Sequence, residues 1–246
     1  MAAVQSVLIG GMIGYAFGNF GTGQEQVNAK NALLLLLGLS AIWLGCNAAS
    51  KEIVGDLAIY RREHDINLST AAFVGAKYCV SCAFTVMQLA AVYVLASVLS
   101  AGVPGDRWGQ FLLLTIGAMA GTAMGLVISA FANTRDQATT IVPLALVPQL
   151  YPGGVLVPKL PEPATVVAKV AVSGYWLTEA MQSLFIAAEG PIPVIDVRTS
   201  ALVDMTAEPT ARCVAIIVAH TLAFLLVAYL VTRLRHGRRT GNADGR

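Results

Sequence analysis

The chain has 246 residues, of which 56% are hydrophobic and only 12% charged, and its mean hydropathy is +0.68. So little charge leaves a water-soluble domain of this length without enough polar surface to cover itself, which places the chain in the membrane class. The net charge of +2 is spread over loops and the tail and forms no clustered basic face, which excludes nucleic acid as a partner.

Residues 2–20 form the first apolar stretch, with Gly10, Gly11, Gly14 and Gly18 on neighbouring helical faces, a pattern suited to close helix packing in lipid. The stretch lacks the basic start of a secretory signal, so it reads as a membrane span. A polar turn leads to residues 31–50, a run that includes Leu33 to Leu37 and is long enough to cross about 30 Å of hydrocarbon. The chain then turns charged over 51–65, KEIVGDLAIYRREHD. Ile53, Leu57 and Tyr60 recur there at helical spacing, as in a short amphipathic helix beneath the bilayer, with a solvated linker as the alternative.

Residues 70–100 give the third span and 108–131 the fourth, where Gly117, Gly121 and Gly125 repeat every four residues and imply a tight helix contact. The fifth, 138–157, holds Pro143, Pro148 and Pro152 followed by Gly153-Gly154. Proline removes an amide donor and crowds the preceding turn, so this span is expected to be bent or broken. Residues 158–210 are mixed: 164–188 is fairly apolar but carries Lys169, Glu179 and Gln182, and 191–209 reads as loop. The last span, 213–232, ends in a basic run, with 237–246 left as a flexible tail.

Charge sets the orientation. With the breaks after the second and fourth spans and the tail on one side, that side holds Lys51, Arg61, Arg62, Lys77, Arg135, Arg233, Arg235, Arg238, Arg239 and Arg246. Against these stand Glu52, Asp56, Glu63, Asp65, Asp136 and Asp244, for a net +4, and the remainder of the chain carries −2. Basic residues near span ends favour the cytoplasm, so both termini are expected there and the number of crossings is even. Six crossings fit, which makes 164–188 re-entrant or interfacial. The architecture expected is thus an all-α polytopic protein of the plasma (inner) membrane, with a permease-like domain over 1–236.

Four stretches resemble the membrane domain of type II ATP-binding cassette exporters, most closely the G subfamily. The loop after the second span, from Lys51-Glu52 through Ile59-Tyr60-Arg61-Arg62-Glu63-His64 to Asn67-Leu68-Ser69, is similar to that family's acid-plus-YxRE coupling region. Pro148-Gln-Leu-Tyr-Pro-Gly-Gly-Val-Leu-Val-Pro158 is similar to the segment closing the fifth span, with Tyr151, Gly153 and Gly154 on its pattern. Ser173 to Ala180, SGYWLTEA, resembles the outer re-entrant element, with Tyr175 and Glu179 in place, and a lone last span follows a polar loop.

The resemblance implies a permease that dimerises in the lipid and is driven by ATP and magnesium bound on a cassette. It assigns Glu52, Tyr60, Arg61, Arg62 and Glu63 to coupling, although Arg61 and Arg62 can equally serve topology alone. The chain itself lacks the G-x-x-x-x-G-K-[ST] phosphate loop, so the cassette is expected on a partner subunit or elsewhere in a longer gene product, the latter favoured by the abrupt start at Met1. No triad, carboxylate pair or H-E-x-x-H motif supports catalysis here. Asn47, Gln88, Gln149 and His220 are polar groups within apolar runs, hence candidates for a substrate path, with interhelical bonding the better reading for Asn47 and Gln88. Cys79-Val-Ser-Cys82 has metal-pair spacing but no second ligand pair, and packing is the favoured reading. A secondary transporter or a membrane assembly protein is the competing class; the first predicts an internal repeat and buried coupling charges.

Overall fold

The computed structural model describes residues 2–22, 24–64, 66–150, 166, 169–190, 193–195, 202–204 and 206–243. Within these the protein is an all-α polytopic membrane protein. Its helices are α1 (Ala2–Ala16), α2 (Gln24–Ala49), α3 (Glu52–His64), α4 (Thr70–Leu99), α5 (Arg107–Phe131), α6 (Arg135–Leu150), α7 (Ser173–Glu189) and α8 (Thr210–Ala243). Two short strands, β1 (Pro193–Ile195) and β2 (Leu202–Asp204), pair antiparallel with Val194 opposite Val203.

Four apolar helical runs are long enough to cross a membrane: Glu25–His64, Thr70–Leu99, Arg107–Phe131 and Thr210–Arg235. The other two expected spans are shorter. α1 has 15 residues and stops at Ala16 instead of reaching residue 20. At about 1.5 Å per residue it rises roughly 22 Å, less than the hydrocarbon thickness. The chain leaves the helix at Gly18-Asn19, where the Asn19 side chain accepts from Gly21 N, and Gly21 takes a positive φ of 69°. α6 has 16 residues up to Leu150, and the remainder of the expected 138–157 span lies outside the described residues. Pro143 and Pro148 sit inside α6 without ending it. Ala138, Val142 and Leu146, each no more than 6% exposed, lock that helix into the core, and this packing outweighs the lost backbone bonds.

Other boundaries shift outward. α2 begins seven residues before the expected residue 31, and α8 continues to Ala243, past the expected end at 232. The segment 191–209, expected as loop, contains the two-stranded pairing. Helix ends are capped by side chains where the sequence supplies them. Ser69 accepts from Ala72 N at the start of α4, and Asp106 accepts from Trp108 N and Gly109 N at the start of α5.

Glycines set how closely the helices approach. A Cβ on Gly45, Gly121 or Gly125 would collide with the backbone of the facing helix, at Ala118, Ile42 and Cys46 respectively, so α2 and α5 cross in backbone contact. Gly10 does the same for α1 against the Val92 backbone of α4, and a Cβ on Gly14 would collide with the Leu99 side chain. The main core runs between these helices, and a smaller cluster of Ala49, Ile53, Val74, Leu126, Ala130 and Ala228 closes one end of the bundle.

Candidate functional site

Two polar regions stand at opposite ends of the bundle. The first surrounds α3. After a two-residue break, the first amides of α3 have no carbonyl partner of their own helix. Ser129 of α5 supplies the acceptor: its hydroxyl oxygen takes hydrogen bonds from Ile53 N at 2.9 Å and Val54 N at 3.0 Å. Lys77 of α4 reaches Glu52 at 3.0 Å and also pairs with Asp56. Arg135 at the start of α6 lies 3.9 Å from Asp56, and its guanidinium fills the space beside Gly55. Tyr60 is fully buried, hydrogen-bonded to the Thr70 hydroxyl at 2.8 Å and stacked on Phe73 with ring centroids 4.6 Å apart. Contacts of 52 and 56 with 77, and of 60 with 70 and 73, mean that α3 packs antiparallel to the first turns of α4.

Of the five residues assigned to coupling from sequence, only Arg62 and Glu63 are exposed. Tyr60 is an internal anchor, Glu52 is engaged by Lys77, and Arg61 is half-buried. The residues that fix α3 to the bundle, Asp56, Lys77, Ser129 and Arg135, escape a reading of the sequence, because their partners come from other helices. Lys77 alone carries a signal there, as a lysine seven residues inside an apolar run.

The second region surrounds α7. Gln149 of α6 is 5% exposed; its Oε1 accepts from Gly174 N at 2.8 Å. The His220 ring of α8 meets the Ser173 hydroxyl at 3.2 Å through Nδ1 and the Val170 carbonyl at 2.9 Å through Nε2. A ring nitrogen beside a carbonyl must donate, so Nε2 carries a proton. Two of the four path candidates therefore converge on the first residues of α7, as bonds between helices. Asn47 instead donates to Gln5 of α1 at 3.4 Å, and Gln88 lies half-buried on α4, so neither joins them. Tyr151, Gly153 and Gly154 lie outside the described residues.

Farther along α7, Glu179 accepts from Glu208 N at 3.1 Å and lies beside Tyr175. Burial raises its carboxyl above the ordinary value; the Glu208 amide bond opposes this and the Glu208 charge reinforces it. A carboxyl that binds its proton more tightly when folded makes stability fall as pH rises from near 4.5 through the raised value. Glu179→Gln keeps an acceptor for the Glu208 amide and removes the buried charge. It is expected to melt about 2–4 °C higher than the parent at neutral pH. That gain should vanish near pH 4, and melting curves at the two pH values check it.

Beyond Glu179, α7 is tied to α2 by Lys30 and Glu189 at 2.6 Å. An open cavity of about 540 Å³ lies there, lined by Asn19, Gln26, Lys30, Arg107 and Glu189 among others. Among the described residues no group of three or more His, Cys, Asp or Glu can hold a metal ion, and all four cysteines are free.

The architecture is a helical bundle with a short helix strapped beneath one end, a polar vestibule at the other and glycine-lined crossings between. The family described as ABC-2 type transporter matches residues 1–185. The ABC transporter ATP-binding/permease protein Rv1747 of Mycobacterium tuberculosis is 29% identical over 163 residues, covering 62% of this chain and 18% of that protein. The chain thus spans about a fifth of that relative's length. With three quarters of its length matched and its membrane-crossing helices in place, the chain belongs to the ABC-2 type transporter family as a membrane permease domain.

Proposed function

We propose that this chain is the membrane-crossing part of an ATP-driven pump that exports a hydrophobic or amphipathic substrate. It does so as one of two permease copies set in the lipid bilayer of the plasma (inner) membrane. ATP and magnesium act on a cassette, fused in the same gene product or bound as a separate subunit, and the chain's own residues contribute no bond-breaking step. The observation that carries this reading is α3, a charged helix fastened to three neighbours. Ser129 holds its start, Lys77 and Arg135 hold its acidic side, and Tyr60 holds its end.

A helix held in that way transmits a push instead of yielding to it, which a pump needs wherever a cassette's motion enters the bundle. Arg62 and Glu63 point outward from this fastened element and offer charge-assisted contacts to the cassette. The α3 end then faces the cytoplasm with both termini, in keeping with the basic residues gathered there. The α7 end, with its polar cavity, lies on the far side where substrate leaves.

The test is to tag the chromosomal gene after Arg246, purify its product in mild detergent, and assay vanadate-sensitive ATPase activity together with chain mass. Activity on a chain near 25.7 kDa identifies a separate cassette, and activity on a much larger chain identifies a fused one. Arg62→Glu should then weaken the coupling of hydrolysis to transport. Intact, well-folded material devoid of ATPase activity would sink the reading in favour of secondary transport or membrane assembly.

A further inference from the structure

The open cavity at the α7 end has a lining that the pump reading leaves without a ligand. Three segments enclose it: the turn from α1 into α2, the turn from α4 into α5, and the last turn of α7. Each is tied to the next. Ala101 N donates to the Phe17 carbonyl at 3.0 Å, which joins the two turns. Gln110 Nε2 donates to the carbonyls of Pro104 and Met181 at 3.2 and 3.0 Å, which joins the second turn to α7. Lys30 of α2 donates to both carboxylate oxygens of Glu189, at 2.7 and 2.6 Å, and lies 5.4 Å from the Phe185 ring centroid. The walls are thus in place before a ligand arrives, and a preformed site lowers the ordering cost of binding.

The charged side chains of the lining are Lys30, Arg107 and Glu189, so the excess is positive. Lys30 and Glu189 balance each other. Arg107 is exposed, and among the described residues its side chain takes part in no hydrogen bond or ion pair. Of the acids nearest in sequence, Asp106 turns its oxygens to Trp108 N and Gly109 N, and Glu25 lies outside the lining. Gln26, one turn before Lys30 on the same face of α2, and Asn19, whose Oδ1 is held by Gly21 N, add amide donors. An ammonium has three N–H groups, and Glu189 takes two of Lys30's. An arginine fork beside these donors matches an anion with several oxygens.

Position and size indicate which anion. The membrane-crossing runs Thr70–Leu99 and Arg107–Phe131 end and begin at the turn that lines the cavity, which places it at the level of the headgroups. Trp108 and Tyr15, close in sequence to the two turns, are 81% and 88% exposed, as aromatic residues are at a membrane interface. Val98 and Leu99, just before the second turn, are also exposed and leave apolar surface for acyl chains. A volume of about 540 Å³ suits a small organic group rather than a bare ion.

We propose that the cavity lined by Lys30, Arg107 and Glu189 binds the headgroup of an anionic phospholipid in the leaflet at the α7 end of the bundle. The phosphodiester accepts from the Arg107 guanidinium and from the third N–H of Lys30, with Asn19 and Gln26 beside it, and the acyl chains lie along Val98 and Leu99. A zwitterionic headgroup fits less well. Glu189 already spends both oxygens on Lys30, and Arg107 repels a headgroup cation. The site needs neither a cassette nor transport, so it stands or falls separately from the pump reading.

The test uses the purified protein with any cassette it carries, stripped of lipid in detergent and titrated with phosphatidylglycerol, with phosphatidylcholine of the same acyl chains, or with glycerol phosphate. Retention is read by native mass spectrometry and stabilisation by melting temperature. Phosphatidylglycerol should be retained and raise the melting temperature, and the other two should do neither. Arg107→Gln removes no side-chain bond among the described residues, so the fold should hold while phosphatidylglycerol binding weakens about tenfold. Glu189→Gln still accepts from Lys30 but no longer neutralises it, and should strengthen binding about threefold. Arg233→Gln, an exposed arginine at the opposite end of the bundle, should leave binding unchanged.

Equal binding of phosphatidylcholine, or equal protection by glycerol phosphate, would overturn the lipid site. So would a folded Arg107→Gln protein that binds phosphatidylglycerol normally, or a loss as large in Arg233→Gln, which would mark a general attraction of anionic lipid to basic residues at either end.

Discussion

Gly121→Val is expected to be the most damaging single change in the bundle, leaving little protein that elutes as one species in detergent. A Cβ at 121 meets the carbonyl and Cα of Ile42, which are backbone atoms that no rotamer change can move aside. α2 must then retreat from α5, and the crossing built by Gly45, Gly121 and Gly125 opens along its whole length. Lipid gives helices no hydrophobic reason to associate, so burial elsewhere does not make up for a crossing forced open here. A forced overpacking of this kind costs about 3 kcal/mol, a large part of the stability of an ordinary domain.

Gly11 provides the control. Nothing lies within 4 Å of a Cβ added there, and Gly11→Ala should stay within about 0.5 kcal/mol of the parent. Thermal melting of both variants by size-exclusion fluorescence separates close crossing from general intolerance of larger residues. A Gly121→Val protein that melts with the parent would show that α2 and α5 do not touch at backbone distance.

This crossing is legible in the sequence because its signal is local: glycines four apart fall on one helical face. The membrane class, the order of the helices and the amphipathic α3 are legible for the same reason, since each rests on composition or on a period of a few residues. The reduced length of α1 is less so, because Phe17 and Phe20 continue the apolar composition after the backbone has already left the helix. α6 is legible only in part: Pro143 and Pro148 lie within the helix, where Val142 and Leu146 pack into the core, and Pro152 with Gly153-Gly154 lie outside the described residues.

The candidate site is harder to see than the fold. Tyr60 falls on the apolar face with Ile53 and Leu57, so its burial is legible, but its bond to Thr70 and its packing on Phe73, beyond the next turn, are not. Asp56 and Lys77 stand 21 residues apart, and nothing in one sequence states that two distant charges meet. Gln149 and His220 stand out in the sequence as polar groups needing partners in lipid, and they have them. Their shared task of holding the start of α7 depends on two helices that approach only in the folded protein. What a sequence conveys well is periodicity along one element; what it withholds is pairing between elements.

Lys77→Met tests whether the strap on α3 is mechanical. The Lys77 side chain is 20% exposed and the Glu52 and Asp56 side chains are 38% and 34% exposed, so solvent screens each pair and neither ion pair alone is worth more than about 1 kcal/mol. Removing the lysine does more than delete two pairs. Glu52 and Asp56 are four residues apart on one helix face, and without their shared cation they repel each other beside the apolar end of α4. A total loss of about 1–3 kcal/mol is expected, which leaves the protein folded but α3 loosely held.

The functional consequence should exceed the structural one. If α3 carries a cassette's motion into the bundle, a loosened α3 absorbs that motion, and the variant should hydrolyse ATP while moving little substrate. Asp56→Asn should be milder, because Lys77 keeps Glu52. The double variant Asp56→Asn with Lys77→Met should be less damaged than the sum of the two, since with Asp56 neutral the repulsion created by losing the lysine is gone. A double-mutant cycle on melting temperature and on transport per ATP hydrolysed measures both effects. Strict additivity in melting would show that the two charges act independently. Full transport in a Lys77→Met protein would show that α3 does not need the lysine, leaving Arg135, Ser129 and Tyr60 as the attachments through which any force must pass.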